Sequence, residues 1–279
     1  MKRQQFILIS GGILLVAVLF IFGNTIPPKK PTPPLANTPK EKTVNTEKLL
    51  LHAKERLTPS QLIKLTALEN SVNRGDVKNQ QLKVYRQLAS YWRDTIKLFE
   101  PYAYYTSEAA KLENSEKNLT FAAHLFLGNL QTETEPGMQN WLATNAKVLF
   151  EKALVINPGN DSSKIGLGAC YIFGNVSDNP MEGISKIREV IQQDPENVFA
   201  HMMLGLGGVK SGQLDKAIEH FKAVLTKQPE NLEAALNLAE TFDRHGDKAE
   251  AIKWYREVKK MINNPEAQKE LDNRINAIQ

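Results

Sequence analysis

Four stretches of this 279-residue chain share one frame: a small residue, a large one four positions on, a smaller apolar one three further, then a proline. Ala217, Phe221, Val224 and Pro229 are the cleanest case. Ala146, Phe150, Ala153 and Pro158 repeat it, as do Gly183, Ile187, Val190 and Pro195, and Ala251, Tyr255 and Val258 ahead of Pro265. The first positions are 37, 34 and 34 residues apart. Upstream of the last three copies lies a second pattern: Leu167, Gly168, Tyr171; Leu204, Gly205, Gly208; Leu238, Ala239, Phe242. A fixed period of this size means units that bury their apolar faces only against their neighbours. Small residues let two antiparallel helices approach closely, and large ones fill the space beside them. The prolines end each second helix. Gly212 and Gly246 fall in the turns, where a left-handed backbone costs glycine nothing.

The frame resembles the tetratricopeptide repeat (TPR), a 34-residue helix–turn–helix with L-G-x2-Y in its first helix and A-x3-F…P in its second. The resemblance covers about residues 119–263. It implies an all-α fold, an α-solenoid of about four helix–turn–helix repeats over 119–265, closed by a polar-faced capping helix over 266–279. The copies from 198 to 231 and from 232 to about 265 are nearly regular. The copy at 161–197 carries three extra residues around Asn175–Pro180. In the first copy the small slot is expected at Gly128, with about six extra residues near Thr132–Met138.

Gly205 to Gly212 (GLGGVKSG) imitates a phosphate-binding loop. Val209 stands where that loop needs a glycine before its lysine, and no strand precedes it. The repeat frame makes the stretch the end of a first helix and its turn. Gly205, Gly207 and Gly208 nonetheless cost a helix about 1 kcal/mol each relative to alanine, and Gly166 and Gly168 repeat the habit one unit earlier. Two accounts stand: close helix packing, or backbone left bare for a ligand.

Residues 45–118 also read as helical. Thr58-Pro59-Ser60-Gln61 is a helix start with a capping box. Leu62, Leu65, Leu68 and Val72 follow as an apolar stripe; Leu82, Tyr85, Leu88, Trp92 and Ile96 form another after Asn73-Arg74-Gly75. Pro101 punctuates, with a short helix expected from about Ala103 to Leu112.

Ahead of all this, Phe6–Gly23 is an 18-residue run without charge, preceded by Lys2 and Arg3. As a helix it reaches roughly 27 Å, enough for a bilayer core. A retained single-pass transmembrane signal anchor (residues 1–23) is preferred to a cleaved secretory signal, because the run is long and no A-x-A site follows it. The segment from 24 to 44 holds six of the 14 prolines and reads as a semi-rigid spacer. The expected location is a bacterial inner membrane with the C-terminal part in the periplasm. A cytosol-facing orientation is the alternative, since Lys29 and Lys30 weaken the charge argument.

The formal net charge of +4 is set by residues 1–44, with six basic residues against Glu41. The remainder holds 29 basic and 30 acidic residues and has no overall attraction to nucleic acid. One cysteine, Cys170, allows no intramolecular disulfide. The five histidines show no metal-ligand spacing, no nucleophile motif is present, and the carboxylates have the spacing of solvated helix faces. Neither an enzyme nor a cofactor site is indicated.

In the TPR family the first helix of each repeat lines a concave groove at its second, fifth, ninth, twelfth and thirteenth positions. Carried over, the copy at 161 offers Ser162, Ile165, Ala169, Ile172 and Phe173. The next offers Phe199, Met202, Leu206, Val209 and Lys210, and the last Glu233, Leu236, Glu240, Asp243 and Arg244. Such a groove is apolar in its middle and acidic at its C-terminal end. It suits another protein or peptide segment, an amphipathic helix or an apolar peptide with basic residues. With Lys210 and Arg244 as its only basic positions, it departs from family members that grip a terminal carboxylate with paired Lys and Asn. The layout is similar to anchored TPR proteins of envelope assembly, implying a scaffold or adaptor. A permanent structural subunit of a membrane complex, or self-association, is the competing reading.

Overall fold

The computed structural model describes residues 44–74, 78–177 and 179–278, with the side chains of 72–74 left aside. The expected anchor and nearly all of the proline-rich spacer lie outside the described residues, as do Gly75 and the side chain of Val72. No helix among the described residues is long and apolar enough to cross a membrane.

Thirteen α-helices and no strands are present among the described residues. They are α1 (Thr46–Glu55), α2 (Pro59–Arg74), α3 (Lys78–Ser90), α4 (Phe99–Glu113), α5 (Glu116–Leu130) and α6 (Pro136–Ile156). The rest are α7 (Asp161–Phe173), α8 (Pro180–Gln193), α9 (Val198–Ser211), α10 (Leu214–Lys227), α11 (Leu232–His245), α12 (Lys248–Met261) and α13 (Pro265–Ile278). A π-helical segment, Tyr91–Ile96, extends α3 and stops at Lys97, whose φ is 61°. Helices α5/α6, α7/α8, α9/α10 and α11/α12 pack as successive pairs, and α5, α7, α9 and α11 also touch in series. This is an α-solenoid whose inner face is made of first helices.

Local chemistry places the boundaries. The residue before each repeat proline is driven out of the helical region: Asn157, Asp194 and Gln228 have ψ of 89°, 86° and 79°. Two residues after each of these prolines stands an asparagine whose side chain caps the next helix. Asn160, Asn197 and Asn231 accept from the amides of Ser163, Ala200 and Ala234 at 2.7, 3.0 and 2.9 Å. Gly212 and Gly246 make the tight turns, with φ of 74° and 92°. The capping box at α2 forms in both directions: Thr58 N–H donates to Gln61 Oε1 at 2.9 Å, and Gln61 N–H to Thr58 Oγ1 at 3.4 Å.

The glycine excess inside the helices is packing. A Cβ on Gly205 would stand 2.5 Å from Phe221 Cε1, and one on Gly168 would stand 2.6 Å from the Gly183 carbonyl. Gly208 faces Ala217 at 3.1 Å, Gly207 faces Ile172 at 3.3 Å, and Gly166 is filled by the ring of Phe150. All five are buried. Neighbouring side chains and backbone fill the space that a bound ligand would need.

Three expectations are corrected. Gly128 is exposed, with nothing within 4 Å of a Cβ built on it. The small and aromatic slots of the first pair are filled five residues earlier, by Ala123 and Phe126, both fully buried. The extra length is helix as well as loop: α6 has 21 residues where α8, α10 and α12 have 14, with Pro136 in its first turn and Glu135 accepting from Met138 N–H at 2.6 Å. On this extension Trp141 packs edge-on to Phe126 (5.4 Å) and donates its Nε1–H to Thr46 Oγ1 at 2.9 Å, docking α1 onto the repeats. The second correction is α4, which starts at Phe99 rather than near Ala103. Pro101 lies in its first turn, where a missing N–H costs nothing. Third, Leu62 faces solvent while Leu65 is fully buried, so the α2 stripe is narrower than its spacing implied.

Within the third pair, Nδ1 of His201 and Nδ1 of His220 are 3.0 Å apart. His201 Nε2–H donates to the Pro195 carbonyl at 2.9 Å, which leaves its Nδ1 to accept from His220. Burial, then His201, Arg188 and Lys216, push the His220 pKa down to about 4.

Gly128→Ala raises stability by about 1 kcal/mol, because it only improves helix propensity. Gly205→Ala lowers stability by about 1 kcal/mol despite the same gain, because the buried Phe221 ring has to move. Denaturant midpoints of the two variants distinguish the outcomes. For His220, the unfolded chain takes up the proton first. The stabilising contribution is therefore full above about pH 6.5 and lost as pH falls towards about 4. His220→Gln flattens the denaturant midpoint against pH in that window.

Candidate functional site

The concave face of the solenoid carries two hollows, both lined by first helices and both shaped by where the asparagine caps start those helices. The first, of about 400 Å³, lies between His124 of α5, Ser162 and Ile165 of α7, and Asn197 and Phe199 at the start of α9. His124 Nε2 is 2.8 Å from Ser162 Oγ, and its ring stands edge-on to Phe150 at 5.1 Å and tilted to Phe199 at 5.7 Å. Burial lowers the pKa of this imidazole, so the hollow has an uncharged polar wall at neutral pH.

The second hollow, of about 380 Å³, has an apolar floor of Leu130, Phe173, Leu206 and Val209. Its polar rim comes from Gln131, Thr132 and Glu133 in the α5–α6 turn, Gln139 of α6, Lys210 of α9, and Glu233 and Asn237 of α11. The turn is held rigid. Glu133 Oε1 accepts from the amides of Thr134 (2.7 Å) and Glu135 (2.9 Å), and Gln139 donates to the Glu133 carbonyl at 2.6 Å. Glu233 has no ion-pair partner among the described residues. A ligand placing an apolar group on the floor and a basic or amide donor at the rim satisfies both surfaces.

The two basic candidates are engaged by the fold itself. Lys210 Nζ donates to the Phe173 carbonyl at 3.0 Å and lies 5.6 Å from the centroid of that ring. Burial lowers its pKa. One repeat later, Arg244 Nη2 reaches the Val209 carbonyl at 3.5 Å. Each cation thus sits on the last turn of the preceding repeat's first helix, where orphan carbonyls and the negative end of the helix dipole favour it. The acidic C-terminal end is altered as well. Glu240 accepts from Arg274 of α13 at 2.6 Å, so the capping helix matches its charge.

Of the fifteen sequence-derived groove positions, Phe173, Leu206, Val209, Lys210 and Glu233 meet in the second hollow, and Ser162, Ile165 and Phe199 in the first. Ala169, Ile172 and Met202 are buried between repeats and Leu236 is packed half-buried on the same core, which corrects their placement on an open surface; Asp243 is exposed and lines neither hollow. Glu240 and Arg244 are taken up by the contacts just described. The sequence reading missed His124, Leu130, Gln131, Thr132, Glu133, Gln139, Asn197 and Asn237. The signal for α5 was present in Ala122-Ala123-x2-Phe126, which parallels Leu238-Ala239-x2-Phe242; anchoring the first copy on Gly128 hid it.

Among the described residues, no cluster of three or more histidine, cysteine or carboxylate side chains is arranged to hold a metal. Cys170 is buried in the repeat core, and burial pushes its thiol up to about 12.

Residues 202–267 match the tetratricopeptide repeat family model, which spans nearly all of the third and fourth helix pairs. The structure is similar to a crystal structure of a tetratricopeptide repeat protein from Parabacteroides merdae, with 14% identity and a TM-score of 0.53 over 83% of this chain and 86% of that one. It is also similar to that of a thermophilic TPR protein of Thermus thermophilus, with 17% identity and a TM-score of 0.50 over 72% of this chain and 98% of the other. At these identities the likeness is one of fold: paired helices stacked in a solenoid.

The cation contacts carry their own prediction. Lys210→Ala leaves the α7 carboxyl end without its cation and lowers stability by about 1 kcal/mol, whereas Lys210→Arg keeps most of it. Denaturant titration of the two variants checks this.

Proposed function

We propose that this solenoid of TPR-type repeats is a membrane-tethered adaptor that holds a segment of another protein in its concave face. The observation that carries the reading is the second hollow: an open apolar floor at Leu206 and Val209 beside an acid, Glu233, that has no cation of its own among the described residues. The occupant that fits is a peptide or amphipathic helix presenting apolar side chains with a lysine or arginine next to them. The apolar run at 6–23 and the proline-rich spacer after it support a tether in a bacterial inner membrane. Lys2 and Arg3 ahead of that run support a periplasmic position for the repeats, in envelope assembly.

The test starts from a photo-crosslinking amino acid in place of Leu206 in the full chain, in cells. The expected result is a dominant adduct with one envelope protein, lost when Val209→Glu is added while the thermal transition is kept. In binding measurements with that partner, Leu206→Glu weakens affinity at least about tenfold, because a charge replaces an apolar contact. Glu233→Gln weakens it up to about fivefold, as for an exposed ion pair. No adduct from a folded protein, or one insensitive to Val209→Glu, sinks the open-groove reading.

A second reading has its own support. Val148, Val155 and Ile156 of α6 and Met181 of α8 are exposed apolar residues on second helices. They favour a permanent subunit contact or self-association through the outer face. Sedimentation of the full chain against Val155→Asp separates the two, since only the second reading expects a change of mass.

A further inference from the structure

Charge is divided along this chain in a way the groove does not use. Residues 45–98, which hold α1, α2, α3 and the π-helical segment, carry ten basic and five acidic residues, a net charge of +5. Residues 99–279 carry 19 basic and 25 acidic residues, a net charge of −6. Between α2 and α3 lies an open cleft of about 690 Å³. Leu68, Leu82 and Tyr91 supply its apolar surface, and Lys64, Lys83 and Arg86 its cations. Among the described residues the single acid lining it, Asp94, is bound in a fork by Arg93, at 2.7 Å to Nε and 3.0 Å to Nη2.

Arg86 shares its charge with Glu113, but Lys64 and Lys83 are exposed and have no carboxylate within 4 Å among the described residues. Lys64 Nζ stands 5.1 Å from the centroid of the Tyr91 ring, whose hydroxyl is tied to the Gln61 carbonyl at 3.1 Å. Adjacent to Lys64 on α2, Ile63 is 72% exposed. Lysines beside apolar side chains suit a surface that is anionic outside and apolar just beneath. An acidic protein surface matches the first property only.

The chain's continuation chooses the same occupant. The α1 helix begins after a spacer of about 20 residues, whose reach is at most roughly 60 Å in an extended proline-rich conformation. Beyond it is the 18-residue apolar run. A bilayer holding that run belongs to the same chain as the cleft, so docking on it is intramolecular and needs little affinity.

We propose that the α2–α3 face is a docking surface for anionic phospholipid headgroups, which lays the N-terminal helices on the membrane that tethers the chain. The inference rests on the tether reading, and the test separates the two. The full chain carrying Ile63→Cys is labelled with an environment-sensitive fluorophore; the buried Cys170 thiol, pushed up to about 12, stays unmodified. It is reconstituted into vesicles of phosphatidylcholine alone, or of equal parts phosphatidylcholine and phosphatidylglycerol, each with a headgroup-quencher lipid. Co-sedimentation with both vesicles reports the tether alone.

Quenching that requires phosphatidylglycerol and disappears at high salt is the expected result. Lys64→Gln with Lys83→Gln lowers the docked-to-free ratio roughly 25-fold, at about 1 kcal/mol per basic residue near an anionic surface. Equal quenching in both vesicles, or quenching indifferent to the two substitutions, overturns the proposal while leaving the tether intact. A change in the probe on adding unlabelled full chain in detergent, without lipid, assigns the face to a second copy and overturns it too.

Discussion

Everything downstream in this protein depends on how closely two helices of a pair can approach. At the crossing of α7 and α8, Gly168 and Gly183 put backbone against backbone. At the crossing of α9 and α10, Gly205 lets the Phe221 ring lie on the helix, and Gly208 receives Ala217. Ala239 and Ala251 stand, fully buried, at the equivalent slots of α11 and α12. The intrinsic helix penalty of glycine, about 1 kcal/mol per residue, is offset by contacts that a larger residue would forbid. Once the crossing distance is set, the stacking of first helices follows, and with it the concave face.

That face owes its chemistry to the ends of helices as much as to their middles. The asparagine caps fix where α7, α9 and α11 begin. Lys210 and Arg244 lie back over the last turns of α7 and α9, so positive charge at the groove wall stabilises the stack. Arg274 of the capping helix offsets Glu240 in the same manner. What remains available is the apolar floor at Leu206 and Val209 with Glu233 and the α5–α6 turn at its rim. The binding character of the groove is therefore what the fold leaves unspent.

The irregular first pair shows how sequence spacing and packing diverge. Residue type alone points to Gly128 as the small slot, but the helix rotates that residue to solvent and turns Ala123 and Phe126 inwards. The deciding partner was Trp141, on two extra turns of α6 that the repeat period does not contain. Those turns join α1 to the repeats through Thr46. His124, Gln131 and Glu133 entered the groove by the same route, unseen because their register hung on a long-range contact.

By itself the sequence determined the class of fold, the two regular repeats, the turns at Gly212 and Gly246, and the helix stops before the prolines. These are local matters: a period, a left-handed φ, a missing N–H and a capping side chain act within a few residues. Tertiary structure alone decided which groove positions are open. Ala169 and Met202 share helical register with residues that line a groove, yet the next repeat covers them. It also decided that the two groove cations answer helix carbonyls 35 and 37 residues away in the chain. Burial and charge pairing across repeats depend on the distance between helices, and that distance is a property of side chains meeting from different units.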